Sequence, residues 1–287
     1  VALIVGILIG VVQGGFIAYL NVPPFIATLA GELIFRGLTQ VVLEGQSLSP
    51  FSNGFQYFAN GFVFRNAKIS GINVFCAGLL AVTVIALILS EVRKRQNKIK
   101  YGFPVPPVYL MALKLVFLIA VASFIIMSFS SYNGMPFITL VLIALALIYS
   151  FIANKTVIGR HVYMVGGNIN AAKLSGVRTK RVMFLVYVNM AFLATIAGLV
   201  VAARLNVAEP KAGTGFELDA IAACTIGGAG SSSGTVVGAI IGAAVMAILN
   251  NGMSIMGIGT DMQQVIKGCI LLLAVTYDQY LKTRASK

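Results

Sequence analysis

The most constraining feature of this sequence is a series of apolar runs that contain hardly any charged residue. Each run continues for roughly 17–25 residues, which is the length that an α-helix needs to cross the hydrocarbon core of a bilayer. The strands of a membrane barrel would alternate apolar and polar residues with a period of two, and these runs do not. We therefore predict an all-α fold, a polytopic bundle of membrane helices.

The amino-acid composition also indicates a membrane protein. Hydrophobic residues make up 59% of the chain and charged residues 10%, against roughly 25% charged residues in a soluble domain. Too few polar side chains remain to cover a water-facing surface, so the lipid bilayer is the expected surrounding. The net charge of +13 is concentrated in loops and a tail. That distribution is typical of membrane orientation, and we expect no nucleic-acid partner.

The hydrophobic pattern predicts the membrane segments and their connections. The predicted segments are Val1–Leu20, Phe25–Leu43, Gly71–Ser90, Val108–Ser128, Pro136–Ala153, Val182–Ala203, Ala220–Leu249 and Met262–Leu281. Residues 1–287 are expected to form a single membrane domain. Because the chain starts at Val1 inside a hydrophobic run, we expect further membrane helices upstream of it.

Basic residues predict the orientation of these segments, since cytoplasmic loops are enriched in lysine and arginine. The basic loops Glu91–Gly102 and Asn154–Arg181 are predicted inside, and the loops Glu44–Ser70 and Arg204–Asp219 outside. Ala220–Leu249 must then return to the side from which it entered. It can do so as a re-entrant pair broken at "GGAGSSSGT" or as two short crossings. A transport pathway would tolerate such a break, and tight packing of small residues would also explain the glycines.

Several charged residues lie within the predicted membrane segments. Glu32 and Arg36 are four residues apart, so they share one helix face and are expected to pair. The pair either lines a pathway or is purely structural, and Arg36 could also snorkel to the surface. Lys114 and Lys267 lie near segment ends, where snorkelling accounts for both.

The sequence offers no catalytic or metal-binding constellation. His161 is the single histidine, and Cys76, Cys224 and Cys269 are interpreted as small buried apolar residues. No phosphate-binding Walker motif occurs in the chain. We therefore expect no enzyme and no cofactor of its own, and any nucleotide energy must come from another subunit. "GTVVGAIIG", at residues 234–242, is a ladder of small residues that allows close helix packing.

One polar stretch, "GRHVYMVGGNINAAKLSGV" at residues 159–177, lies in the predicted cytoplasmic loop 154–181. Asn168 is a plausible helix cap and Gly176 a helix stop. From the residues alone, the stretch is either a docking segment or a solvated loop. It closely resembles the coupling segment of the permeases of bacterial ABC-type monosaccharide importers. The matching residues include Gly166, Gly167, Asn168, Ala171, Ala172, Ser175, Gly176 and Val177.

The resemblance extends over nearly the whole chain. It includes "AYLNVPPFIATLAG" at residues 18–31, "GFELDAIAACTIGGAG" at 215–230 and "NNGMSIMGIGTDMQQVIKGCILLLAV" at 250–275. Three predicted membrane segments separate the external loop Glu44–Ser70 from the coupling segment, where the shorter galactose-like members of the family have one. This additional pair and the "EVRKRQNKIKYGF" loop are similar to the multiple-monosaccharide and xylose type of this family. The "GGAGSSSGT" run is shorter than in relatives of that type. About ten to twelve membrane helices are implied for a full-length chain.

The resemblance implies a multi-pass permease subunit in the bacterial inner membrane that imports a pentose or hexose. Its implied partners are a second permease copy, an ABC ATPase that holds ATP and Mg²⁺, and a periplasmic sugar-binding protein. A nucleoside or signalling-sugar importer and a secondary sugar transporter are the alternatives. Pathway or hinge residues are expected among Glu32, Arg36, Gly227, Gly228, Gly234 and Asn251. Contacts with the binding protein are expected among Glu209, Lys211, Glu217 and Asp219.

Overall fold

A computed structural model describes residues 1–63, 68–69, 72–103, 105, 107–132, 134–229 and 234–285 of the chain. The described residues are overwhelmingly helical, which confirms the all-α prediction. The helices are α1 Ala2–Ala18, α2 Pro24–Val42, α3 Asn53–Asn60, α4 Val74–Lys100, α5 Val108–Tyr132, α6 Phe137–Lys155, α7 Val157–Gly167, α8 Ile169–Leu174, α9 Thr179–Leu205, α10 Phe216–Ile226, α11 Val236–Ile255 and α12 Thr260–Ala285. Four two-residue strands, β1 Phe62–Val63, β2 Lys68–Ile69, β3 Ile72–Asn73 and β4 Met135–Pro136, complete the described structure.

Six of the helices in the described part of the chain are long and apolar enough to cross a membrane. They are α2, α4, α5 (over residues 108–131), α6, α9 and α11. Apolar side chains such as Leu33, Phe124 and Ile248 are largely exposed on them, as expected for helices whose outer surface contacts lipid. The apolar helix α1 has 17 residues. Helix α12 contains the predicted last segment, but it is less apolar than the six.

The internal contacts divide the chain into two compact units, residues 1–51 with 143–287, and residues 52–142. In the first unit, α1 packs along α9 through glycines spaced four residues apart. A Cβ atom on Gly6 would collide with Thr195, and one on Gly10 would lie 2.7 Å from the Cβ atom of Ala191. Small residues at this spacing let two helix backbones approach closely, which is the usual solution in membranes.

Helices α10 and α11 form an antiparallel hairpin in the same unit. A Cβ atom on Gly238 would collide with the carbonyl oxygen of Gly227, and one on Gly242 with that of Ala223. The predicted close approach at the glycine ladder is therefore confirmed. Helix α10 has 11 residues and is about 16 Å long. It is too short to cross a hydrocarbon core of about 30 Å, which argues against the alternative of two crossings, although α11 itself is long enough to cross.

The second unit has a small core between α4 and α5. Cys76, Ile126 and Met135 are its buried members. Asn73 caps α4, because its side-chain oxygen accepts a hydrogen bond from the backbone N–H of Phe75 at 3.0 Å, and its own N–H donates to Ser130 Oγ at 2.9 Å. β1 pairs with β4 and β2 with β3, both antiparallel.

Several expectations need correction. Cys76 is buried as predicted, whereas Cys224 and Cys269 are exposed on α10 and α12, so they are not core residues of this chain. The basic run after Ser90 was expected to be a loop, but α4 continues through it to Lys100, since lysine, arginine and glutamine are good helix formers. Lys114 does not merely snorkel, because its ammonium lies 2.9 Å from Glu91 Oε1.

Candidate functional site

The predicted coupling loop, residues 154–181, is built of two helices with defined caps rather than irregular chain. Thr156 ends α6 and starts α7: its hydroxyl donates to the Ile152 carbonyl at 2.7 Å and accepts from the Gly159 N–H at 3.2 Å. Asn168 ends α7 and starts α8. Its Oδ1 accepts hydrogen bonds from the backbone N–H groups of Asn170 and Ala171, both at 3.0 Å. The prediction that Asn168 is a helix cap is confirmed.

The end of α8 is equally well defined. Gly176 has a φ of +79°, a left-handed conformation that glycine adopts without steric cost. The Val177 N–H then donates to the Ala172 carbonyl at 3.0 Å. This is the pattern of a glycine-terminated helix, so the predicted stop at Gly176 is confirmed. The segment turns sharply and α9 begins three residues later at Thr179.

The predicted coupling residues differ in their solvent exposure. Gly166, Gly167, Asn168, Ala171, Ser175 and Gly176 are exposed, and Val177 is partly buried. Ala172 is only 1% exposed and is packed within the chain, so its small size serves internal packing. Leu174, which sequence analysis missed, is 91% exposed at the end of α8. An apolar leucine between Lys173 and Ser175 in a polar segment is the sequence signal that could have identified it.

A hydrogen bond joins this segment to the α10–α11 hairpin. The Tyr163 hydroxyl on α7 donates to the carbonyl oxygen of Gly234 at 2.7 Å, in a partly buried setting. Gly234 was a predicted hinge residue and lies just before α11. The other two candidates here, Gly227 and Gly228, end α10, and Gly228 has a φ of +76°. Residues 230–233 of the predicted glycine- and serine-rich turn lie outside the described residues.

A polar cluster that the sequence did not predict lies at the opposite end of the hairpin. Asp219 on α10 accepts through Oδ2 from Asn250 Nδ2 on α11 and from Lys267 Nζ on α12, both at 2.9 Å. The side chains of Asp219 and Lys267 are only 18% and 16% exposed. The interpretation of Lys267 as a snorkelling residue is therefore wrong, because its ammonium is held in a three-helix ion pair.

The predicted external loops are brought together within the first unit. Leu48 and Ala208 form an isolated antiparallel bridge, and the Phe51 N–H donates to Asn206 Oδ1 at 2.8 Å. The two segments must therefore lie on the same side of the membrane, as the predicted topology requires. Of the predicted binding-protein contacts, Glu209, Lys211 and Glu217 are exposed, whereas Asp219 is engaged in the cluster above.

The remaining pathway candidates are Glu32, Arg36 and Asn251. Arg36 and Glu32 form the predicted ion pair on α2, with 3.2 Å between Nη2 and Oε1, and each side chain is about a third exposed. Asn251 is exposed on α11, next to Asn250 in sequence. The structure confirms the pairing of Glu32 with Arg36. A pathway-lining role for the pair or for Asn251 stays a prediction.

The family of the chain follows from comparison with known proteins. Residues 1–275 match the model of the family described as branched-chain amino acid transport system / permease component. The xylose transport system permease protein XylH of Haemophilus influenzae is 38% identical over 275 residues, covering 95% of this chain and 71% of the relative.

XylH of Escherichia coli K12 is 36% identical, over 99% of this chain and 71% of its own length. The ribose import permease protein RbsC of the same strain is 33% identical, over 96% of this chain and 67% of its own. No solved structure matches. With its membrane-length helices and this coverage, the chain belongs to the branched-chain amino acid transport system / permease component family.

Proposed function

We propose that this chain is the multi-pass permease subunit of an ATP-driven monosaccharide importer in the bacterial inner membrane, with a pentose as its cargo. Relatives named as xylose and ribose permeases, which match 95% and 96% of this chain, support that substrate class. The permease makes and breaks no covalent bond. It provides the path for a sugar delivered by a separate binding protein.

The observation that carries the coupling proposal is the hydrogen bond from Tyr163 to Gly234. It connects a capped, exposed helical segment at one end to the α10–α11 hairpin at the other. We assign the exposed residues of α8 and its flanks, including Ala171 and Leu174, to a groove on an ABC ATPase subunit. That subunit holds the ATP and Mg²⁺, and its closure would push on α8 and α7.

Such a push can shift a two-state equilibrium only if it is passed on through rigid contacts. The caps at Thr156, Asn168 and Gly176 provide that rigidity, because they fix both ends of α7 and α8. A second permease copy completes the pathway in this proposal. The exposed charges Glu209, Lys211 and Glu217 receive the binding protein, where rim charges mainly steer association.

The test is reconstitution of the permease with its ATPase and binding protein in proteoliposomes. Ala171→Asp places a charge on the exposed face of α8, and Leu174→Asp removes the exposed apolar contact. Both variants should insert normally yet lose ATPase co-purification and sugar uptake, because an unpaired charge buried in a groove is strongly unfavourable. Ala172→Asp is not a clean probe, since Ala172 is buried within this chain.

His161→Asp is the matched control, because His161 lies on α7 outside the small-residue core of the segment. It should retain most of the uptake. Competition by xylose, ribose, hexoses and nucleosides identifies the cargo. Uptake that persists without the ATPase would show a secondary transporter instead, and full activity of both Ala171→Asp and Leu174→Asp would overturn the coupling assignment.

A further inference from the structure

Three helices of the first unit each contribute one polar side chain to a single point. Asp219 comes from the first turn of α10, Asn250 from near the end of α11 and Lys267 from the second turn of α12. Asp219 Oδ2 accepts from both partners at 2.9 Å. One carboxylate oxygen therefore accepts a hydrogen bond from both the amide and the ammonium.

Two acceptors in this cluster have no donor. Asp219 Oδ1 and Asn250 Oδ1 are buried and accept no hydrogen bond from the part of the chain that the structure describes. The orientation of the Asn250 amide is fixed chemically, because only its NH₂ group can face a carboxylate oxygen. Buried acceptors without donors are rare in proteins and call for an explanation. The cluster therefore holds two acceptors that a hydrogen-bond donor could satisfy.

The charge of the cluster restricts what that group can be. A cation is disfavoured, because the Lys267 ammonium already neutralises the carboxylate and would repel it. An anion is disfavoured by Asp219 itself. A neutral molecule with several hydroxyl groups fits both requirements, since each hydroxyl can donate to an acceptor and also accept from an ammonium N–H. Lys267 has three such N–H groups and uses one on Asp219.

We propose that Asp219, Asn250 and Lys267 form a hydroxyl-binding site for the transported sugar. Sugar hydroxyls donate to Asp219 Oδ1 and Asn250 Oδ1, and one accepts from Lys267. This inference rests on the proposed function, and it adds a substrate site within the chain. The cluster lies at the start of α10, directly after the predicted external loop and at the end of the hairpin away from Gly234. Because both acceptors are buried here, the sugar would bind in a transport state in which this end of the hairpin is open.

The test measures sugar binding on the full transporter, with ATPase subunit, in nanodiscs. Saturation-transfer difference NMR with millimolar xylose detects weak contacts between the sugar and the protein. Asn250→Leu removes an acceptor while it leaves the Asp219–Lys267 ion pair intact. We expect the sugar signal to fall at least fivefold, and proteoliposome uptake to fall at least tenfold, while ATPase assembly is retained. Thr276→Val is the control, because among the described residues the Thr276 hydroxyl donates to the Leu272 carbonyl within α12. It should change neither the sugar signal nor uptake.

Asn250→Ser keeps a hydroxyl that can accept, so it should give an intermediate sugar signal and serves if Asn250→Leu assembles poorly. An unchanged xylose signal in Asn250→Leu, or in Asn250→Ser if only that variant assembles, would show that the two acceptors bind water or stay empty, and would overturn the site. The proposed function has a separate readout: it fails if the wild-type transporter moves no sugar with its ATPase and binding protein. Wild-type uptake together with an unaffected Asn250→Leu variant contradicts the site alone.

Discussion

The hydrogen bond between Tyr163 and Gly234 should determine how efficiently ATP hydrolysis is coupled to uptake. Tyr163→Phe removes only the hydroxyl and keeps the ring in place. The lost bond joins a neutral donor to a neutral acceptor at 2.7 Å in a partly buried setting, and such bonds contribute about 0.5–1.5 kcal/mol. If the bond forms in only one of the two transport states, that state loses this free energy. The equilibrium between the states then shifts by about 2- to 13-fold.

The assay is the ratio of ATP hydrolysed to sugar transported in proteoliposomes. Tyr163→Phe should raise this ratio several-fold, with the ATPase still bound, because α8 and its caps are untouched. Tyr109→Phe is the matched control, since Tyr109 is 71% exposed on α5. If Tyr163→Phe and Tyr163→Ala both left the ratio at the wild-type value, the hydrogen bond would not be part of the coupling path and the reasoning would fail.

Three further predictions follow from the packing and the charges. Gly242→Ala should destabilise the chain by about 1–3 kcal/mol through overpacking, because its Cβ atom collides with backbone in the hairpin. A Cβ atom on Gly252 would meet no atom of the described residues within 4 Å, so Gly252→Ala should not lower the thermal midpoint. Cysteine at Asn97 should resist an impermeant maleimide on intact cells and cysteine at Ala212 should react, and the reverse pattern would overturn the orientation. Glu209→Lys should slow binding-protein association at low salt and much less at high salt, and unchanged association rates would leave that loop without a docking role.

Much of the architecture could be predicted from local features of the sequence. The helix cap at Asn168, the stop at Gly176 and the close approach along the glycine ladder each depend on residues a few positions apart. Their physical causes, namely an amide oxygen facing free N–H groups and the absence of a Cβ atom, are visible in the sequence itself. Membrane segments were predictable for the same reason, since length and apolarity decide them.

The parts that could not be predicted depend on distant contacts. Tyr163 and Gly234 are 71 positions apart, and Asp219 and Lys267 are 48 apart. The sequence around each of these residues gives no sign of its distant partner. Lys267 was interpreted as a snorkelling residue because it lies near the end of its predicted segment, and nothing in that position indicates a partner on α10. The burial of Ala172 likewise depends on packing within the chain, which the matching motif does not reveal.

The α10–α11 hairpin joins these two distant contacts. Its helices touch backbone to backbone at Gly227 with Gly238 and at Ala223 with Gly242, so no flexible side chain lies between them to absorb a displacement. Close-packed elements of this kind move as rigid bodies between discrete arrangements. A displacement of α7 that pulls on Gly234 must therefore move the base of the hairpin as well. At that base, Asp219 either carries Lys267 and α12 along, which moves the proposed sugar site as a unit, or separates from them, which changes the geometry of that site when the proposed coupling segment moves.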